Sequence, residues 1–156
     1  MTDIPPCKNP KVPAPAVPFH HRLDIQQRFN DIDMFGHVNN GAYLQMFDLG
    51  KVRYFNTVMG GDIDWHKATV VVVNINVSFH SPAYFEEPLA VLTAVSRIST
   101  HSFILEQRIV NPETGDVKST AQTVMAGFDP TTATGLELPA VWVDSLNKFE
   151  NPAENF

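Results

Sequence analysis

The chain has 156 residues, of which 44% are apolar and 18% charged, with a formal net charge of −6. That length suits one domain burying roughly 68–70% of its unfolded surface, and no run approaches the ~18 apolar residues of a membrane span. The acidic balance excludes nonspecific nucleic-acid binding, which needs basic surface, and the single Cys7 excludes an internal disulfide and suits a reducing, cytoplasmic compartment.

Residues 1–18 hold six of the twelve prolines, from Pro5 to Pro18. Missing backbone donors and fixed φ angles favour an extended tail there. The opening Met-Thr-Asp-Ile-Pro-Pro has no basic start followed by an apolar stretch, so no secretory leader is expected. One domain is expected over 19–150, followed by a short tail at 151–156. His20 to Phe29 reads as a strand through Leu23, Ile25 and Phe29.

Gly41 to Val58 reads as a helix. Tyr43, Phe47, Gly50 and Tyr54 share one side, and Leu44, Met46, Phe55 and Val58 widen it into an apolar band. Gly50 in mid-helix costs about 1 kcal/mol relative to alanine, and close packing against a sheet explains it. Gly60-Gly61 ends the element.

Strands follow. Thr69 to Phe79 opens with four valines and then alternates, which predicts one buried face and, at the valines, two covered faces. Leu89 to Ser99, Ser102 to Val110 and Val117 to Phe128 are further strands, joined by turns at 99–102 and 111–116. A turn is expected from Asp129 to Gly135, then a short strand or terminal helix over Val141 to Phe149.

A helix of about 18 residues spans roughly 27 Å and a strand of ten about 33 Å. One antiparallel sheet of five to six strands can therefore wrap lengthwise around one helix, an α+β architecture. An open sheet leaves an edge that pairs with other chains. The valine run is the candidate edge, which predicts a two-fold dimer.

The chemistry concentrates in Asp31-Ile-Asp-Met-Phe-Gly-His-Val-Asn-Asn40, just ahead of the helix. A helix start offers unpaired N–H groups and partial positive charge. A carboxylate upstream of such donors has the parts to attack a carbonyl whose oxygen they polarise. Asp33 is the candidate nucleophile or general base, or else an N-cap or Asx-turn aspartate ahead of the helix. Asp31 fits a loop-holding role through backbone hydrogen bonds. His37 is a candidate donor to the carbonyl oxygen or a local structural group. Gly36 permits a tight backbone path near substrate. Asn39 and Asn40 are candidate helix caps, Asn39 read as structural and Asn40 as acting through its backbone, and Tyr43 is read as a site-lining phenol or a core residue.

The run from Arg28 to Tyr43 resembles the signature of the hot-dog fold thioesterases of the 4-hydroxybenzoyl-CoA thioesterase-like branch, a D-x-D-x-x-G element before the central helix with a tyrosine on its first turn. Its His37-Val-Asn-Asn40 variant is also similar to plant acyl-ACP thioesterases. There an asparagine and a histidine follow the aspartate, at the positions of Phe35 and His37. The resemblance implies a hot-dog fold with one central helix wrapped by an antiparallel sheet. It implies hydrolysis of an acyl-CoA thioester in a homodimer or dimer of dimers, with no cofactor or metal. It also implies Asp33 as the catalytic carboxylate with His37 and Asn40 beside it, and Gly36, Val38 and Tyr43 at the substrate.

The remaining polar residues read as ordinary. Asp48, Lys51, Glu86 and Glu87 look like surface charges, as do Arg28, Arg53, Arg97, Arg108 and Lys118. The other histidines lack metal-ligand spacing. Trp65 and Phe85 suit either an acyl pocket or the core. A hot-dog hydratase or dehydratase would carry D-x-N-P-x-H, absent here. A non-catalytic acyl-CoA sensor or assembly subunit would carry an added regulatory segment, and the proline-rich tail is too short and too weakly basic for that.

Overall fold

A computed structural model describes residues 3–61, 63–67 and 69–151; the expected C-terminal tail beyond 151 lies outside them. The elements are β1 (His21–Ile25), a 3-10 turn (Phe29–Asp31), α1 (Asn40–Met59), β2 (Thr69–Phe79), β3 (Leu89–Ile98), β4 (Ser102–Val110), β5 (Val117–Asp129), β6 (Thr134–Gly135) and α2 (Ala140–Glu150). The antiparallel sheet runs β1-β3-β4-β5-β2, and β6 pairs with β5. This is the α+β arrangement expected.

Three local differences have clear causes. β1 stops at Ile25 because reciprocal bonding between Arg28 and Asp31 turns the chain into a 3-10 coil. The segment after Pro139 forms a helix, with Trp142 and Leu146 buried four positions apart. Within the expected turn, Thr134 and Gly135 extend the β5 ladder opposite Asp129 and Phe128.

Helix α1 begins under the Asn39 side chain, which accepts from the Ala42 N–H at 3.1 Å, and ends at Gly60 with φ 76°. Its buried face (Ala42, Tyr43, Met46, Phe47, Gly50, Tyr54, Phe55) lies on the sheet, whereas Leu44, placed in the apolar band by sequence, is exposed. A Cβ built on Gly50 would meet the Val91 Cγ1 at 2.5 Å, so helix and sheet touch at backbone distance there. Beside it the Gln107 Nε2 donates to the Phe47 carbonyl at 2.9 Å and to the Thr93 Oγ1 at 3.1 Å. At the far end of α1 the Glu150 carboxylate accepts from the Tyr54 hydroxyl and from the Val95 N–H. Burial and that carboxylate push the Tyr54 phenol far up, so it stays a donor.

Strand β2 is a sheet edge, and the valine run is not covered on both faces within one chain. Val70 is buried, but Val72 and Val73 are 45% and 59% exposed. On the outer face of the sheet the proline-rich segment runs as a strap, with Ile4, Cys7 and Val12 against Ala90, Val110 and Val117.

Candidate functional site

The loop before α1 is fixed residue by residue. Asp31 is buried, and its carboxylate accepts from the Arg28 backbone N–H at 2.8 Å and from the Arg28 guanidinium at 2.9 Å. The same guanidinium donates to the Gln45 Oε1 of α1 at 2.8 Å. The Asp31 carbonyl accepts from the Asn39 N–H at 2.8 Å. Ile32 and Val38 form an antiparallel bridge, closing residues 33–37 into a tight turn.

Inside that turn the Asp33 N–H donates to the His37 carbonyl, and the Gly36 N–H donates to the Asp33 carbonyl, both at 3.0 Å. Gly36 has φ +80°, a left-handed conformation that favours glycine. An added Cβ there would meet nothing within 4 Å, so backbone conformation rather than crowding selects the residue. The Asp33 Oδ1 accepts from the Phe35 N–H at 2.9 Å, an Asx turn, while its Oδ2 has no partner among the described residues. One oxygen orients the carboxylate and the other is free.

His37 is half-buried, and its ring packs edge-on to Tyr84 with centroids 5.3 Å apart. No hydrogen bond or ion pair joins that ring to the Asp33 carboxylate among the described residues. Asn40 is the first residue of α1, and among the described residues its N–H and that of Gly41 have no acceptor. Two expected substrate contacts fall in the core. Val38 is buried and its N–H donates to the Ala83 carbonyl at 2.8 Å. Tyr43 is buried edge-on to Phe79, and burial raises its phenol above the ordinary range, so it remains neutral.

Asp33 does not line the cavity beside the helix start, about 540 Å³, whose walls include Arg28, Asp31, Asn39 and Ala42. Exposed apolar side chains surround the turn instead: Met34 is 93% and Phe35 77% exposed, with Phe29, Tyr84 and Phe85 nearby in sequence or contact.

Beside residues 81–87 stands a charge cluster that departs from the surface role expected of Lys118 and Glu87. The Lys118 side chain is 4% exposed, and its ammonium reaches the Glu87 Oε1 at 2.6 Å, the Asp116 Oδ2 at 2.8 Å and the Pro82 carbonyl at 3.1 Å. Glu87 also accepts from the Tyr84 N–H and the Asn111 amide, and Asp116 from the Ser81 hydroxyl. These bonds immobilise residues 81–87, and with them the Ala83 carbonyl that holds Val38. Burial pulls the Lys118 pKa down, but the two carboxylates outweigh it and the net shift is upward. The one hint in the sequence is the i, i+2 spacing of Asp116 and Lys118, which puts both on one side of an extended chain.

Among the described residues no group of three or more His, Cys, Asp or Glu side chains forms a metal site. No helix among the described residues is long and apolar enough to cross a membrane.

Three comparisons bear on this geometry. A model of the thioesterase-like superfamily matches residues 27–146. The long-chain acyl-CoA thioesterase FadM of Escherichia coli K12 is 28% identical over 131 residues, covering 82% of this chain and 98% of FadM. Among solved structures, the probable thioesterase YbaW of Escherichia coli is 25% identical, with a TM-score of 0.70 over 84% of this chain and 99% of its own. A thioesterase of Thermus thermophilus, complexed with coenzyme A and zinc, is 23% identical with a TM-score of 0.74, covering 85% and 96%.

Proposed function

The chain belongs to the thioesterase-like superfamily and has the hot-dog fold, and from that premise we propose that it hydrolyses acyl-CoA thioesters at the turn formed by residues 33–40. The similarity to FadM supports the substrate class. The observation that carries the site is the state of Asp33: one oxygen is held by the Phe35 N–H, the other has no partner, and the chain runs directly into a helix start whose Asn40 N–H is without an acceptor among the described residues.

In this reading the thioester oxygen rests against the Asn40 N–H, where the helix dipole favours the charge that develops on it. The free Asp33 oxygen then acts by one of two routes. It attacks the carbonyl carbon, expelling the CoA thiolate and leaving a mixed anhydride that water cleaves. Alternatively, it takes the proton of a water that attacks. His37 donates to the thioester oxygen or the water. Gly36 lets the backbone pass close to substrate, and Val38 and Tyr43 support the acyl group from beneath.

The open surroundings of Asp33 fit a site completed by a second copy of the chain, in a homodimer or a dimer of dimers. The cytoplasm is the proposed location, in keeping with one unpaired cysteine.

Thiol release from a panel of acyl-CoAs tests this. Asp33→Asn, with an unchanged circular-dichroism spectrum and melting point, is expected to lose at least about 100-fold in turnover. Retention of activity within a few-fold, or binding of acyl-CoA by the wild type with no thiol release from any substrate, would overturn it.

A further inference from the structure

The N-terminal strap forms a half-open cavity of about 590 Å³ against the outer face of the sheet, on the opposite side from α1. Its walls are mostly apolar: strap prolines, Ile4 and Val12 on one side, Leu92, Val110 and Val117 on the other, with Asn9 the one uncharged polar side chain. Proline contributes no N–H, so the strap offers few donors to anything inside. The volume lies within the range of small-molecule sites.

One cation breaks this apolar lining. Arg108, on β4, is only 9% exposed, yet no carboxylate pairs with it among the described residues. Its Nη2 donates to the uncharged Pro13 carbonyl, and the guanidinium sits 6.0 Å from the centre of the Phe19 ring. Glu106, two positions earlier on the same face, adds only distant attraction. Buried charges are ordinarily paired, because desolvation is otherwise uncompensated. A guanidinium stays charged in proteins and presents a fork that fits a carboxylate. Its remaining donors have no acceptor among the described residues.

We propose that this cavity binds a small amphiphile, an apolar chain ending in one carboxylate, with that carboxylate on Arg108 and the chain between strap and sheet. A doubly charged phosphate fits less well, since one guanidinium and an apolar wall supply too few donors. The site is distinct from the Asp33 turn and does not depend on the reading given for it.

Decanoate below its micellar concentration is the probe, with decanol and decylamine as controls, titrated calorimetrically into the full chain. Decanoate is expected to bind at least tenfold more tightly than either control, and Arg108→Gln to weaken it at least tenfold. Cys7 lines the cavity and is the only cysteine, so its alkylation by a maleimide reports occupancy at this place. Saturating decanoate is expected to slow that reaction several-fold in the wild type, a readout that stands even if the Arg108 variant fails to fold. Equal binding of decanol, undiminished binding to folded Arg108→Gln, or an unchanged Cys7 rate at saturation would each overturn the proposal.

Discussion

Replacing Lys118 with methionine keeps the length and apolar stem of the side chain and removes only its charge. The ammonium is the shared partner of Glu87 and Asp116, whose side chains are 16% and 36% exposed. Breaking a buried ion pair by deleting one partner costs about 3–5 kcal/mol. Here the loss falls toward the lower end, because Asp116 keeps a third of its surface in water and Glu87 retains the Tyr84 N–H and Asn111 bonds. About 3 kcal/mol is expected, which for a chain of this size lowers the melting temperature by roughly 6–12 °C.

The pH dependence is the sharper test. In the wild type, burial pushes both carboxyls up but Lys118 and the other donors outweigh it, so both pKa values lie below the ordinary 4.5 and 3.8. Their contribution is therefore present above those values and is lost as pH falls through the folded ones. Lys118, shifted upward, contributes below 10.5 and loses its contribution only as pH rises through its folded value. In Lys118→Met the Tyr84 N–H, Asn111 and Ser81 bonds remain, but burial and mutual repulsion lose their main opponent, so both carboxylates contribute much less to folding at neutral pH. The gap between variant and wild type should thus be widest near pH 7 and narrow below about pH 4. Chemical melts by circular dichroism at pH 7.5, 5 and 4 measure it. A gap under about 1 kcal/mol at pH 7.5, or one that does not shrink with acid, would refute the assignment of Lys118 as the clamp of the 81–87 segment.

Gly50→Ala gains about 1 kcal/mol of helix propensity but drives a methyl into the buried Val91, so a net loss of about 1–2 kcal/mol is expected in urea melts. His21 is buried with its Nδ1 unpartnered among the described residues, and burial lowers its pKa below 6.5. Its protonation opposes folding, so stability falls as pH drops below 6.5; His21→Leu should flatten thermal stability between pH 6.5 and 5. Val72→Asp places a charge on the exposed edge of β2 and is expected to yield a monomer with greatly reduced thiol release; an active monomer by sedimentation would contradict association through that edge.

Periodicity located the large elements because each depends on neighbours within a few residues. The expected helix from Gly41 to Val58 lies within Asn40–Met59, and the strand from Thr69 to Phe79 matches β2 end for end. Gly50 was legible because a mid-helix glycine has few other reasons to be there. What stayed hidden involves partners far apart in sequence. Lys118 and Glu87 look like surface charges until the sheet brings them within 2.6 Å. Arg108 is likewise unremarkable until Pro13, nearly a hundred residues earlier, lies across it. At the candidate site, the pattern placed Asp33 just ahead of the helix start, but did not reveal that Val38 and Tyr43 would be taken up by the core.

The distribution of uncovered apolar surface bears on where a second copy would sit. Helix α1 covers the inner face of the sheet and the strap covers part of the outer one. Two edges remain. β1 has five residues and carries the Arg22–Asp24 ion pair, a short and charged edge of the kind that discourages pairing. β2 has eleven residues and exposes Val72, Val73 and Ile75. Its last residue, Phe79, is itself half-exposed and packs against Tyr43 on the first turn of α1. A chain pairing along β2 would therefore arrive beside the helix start. Under the proposed reading of the Asp33 turn, association along this edge and enclosure of the thioester would then be a single event.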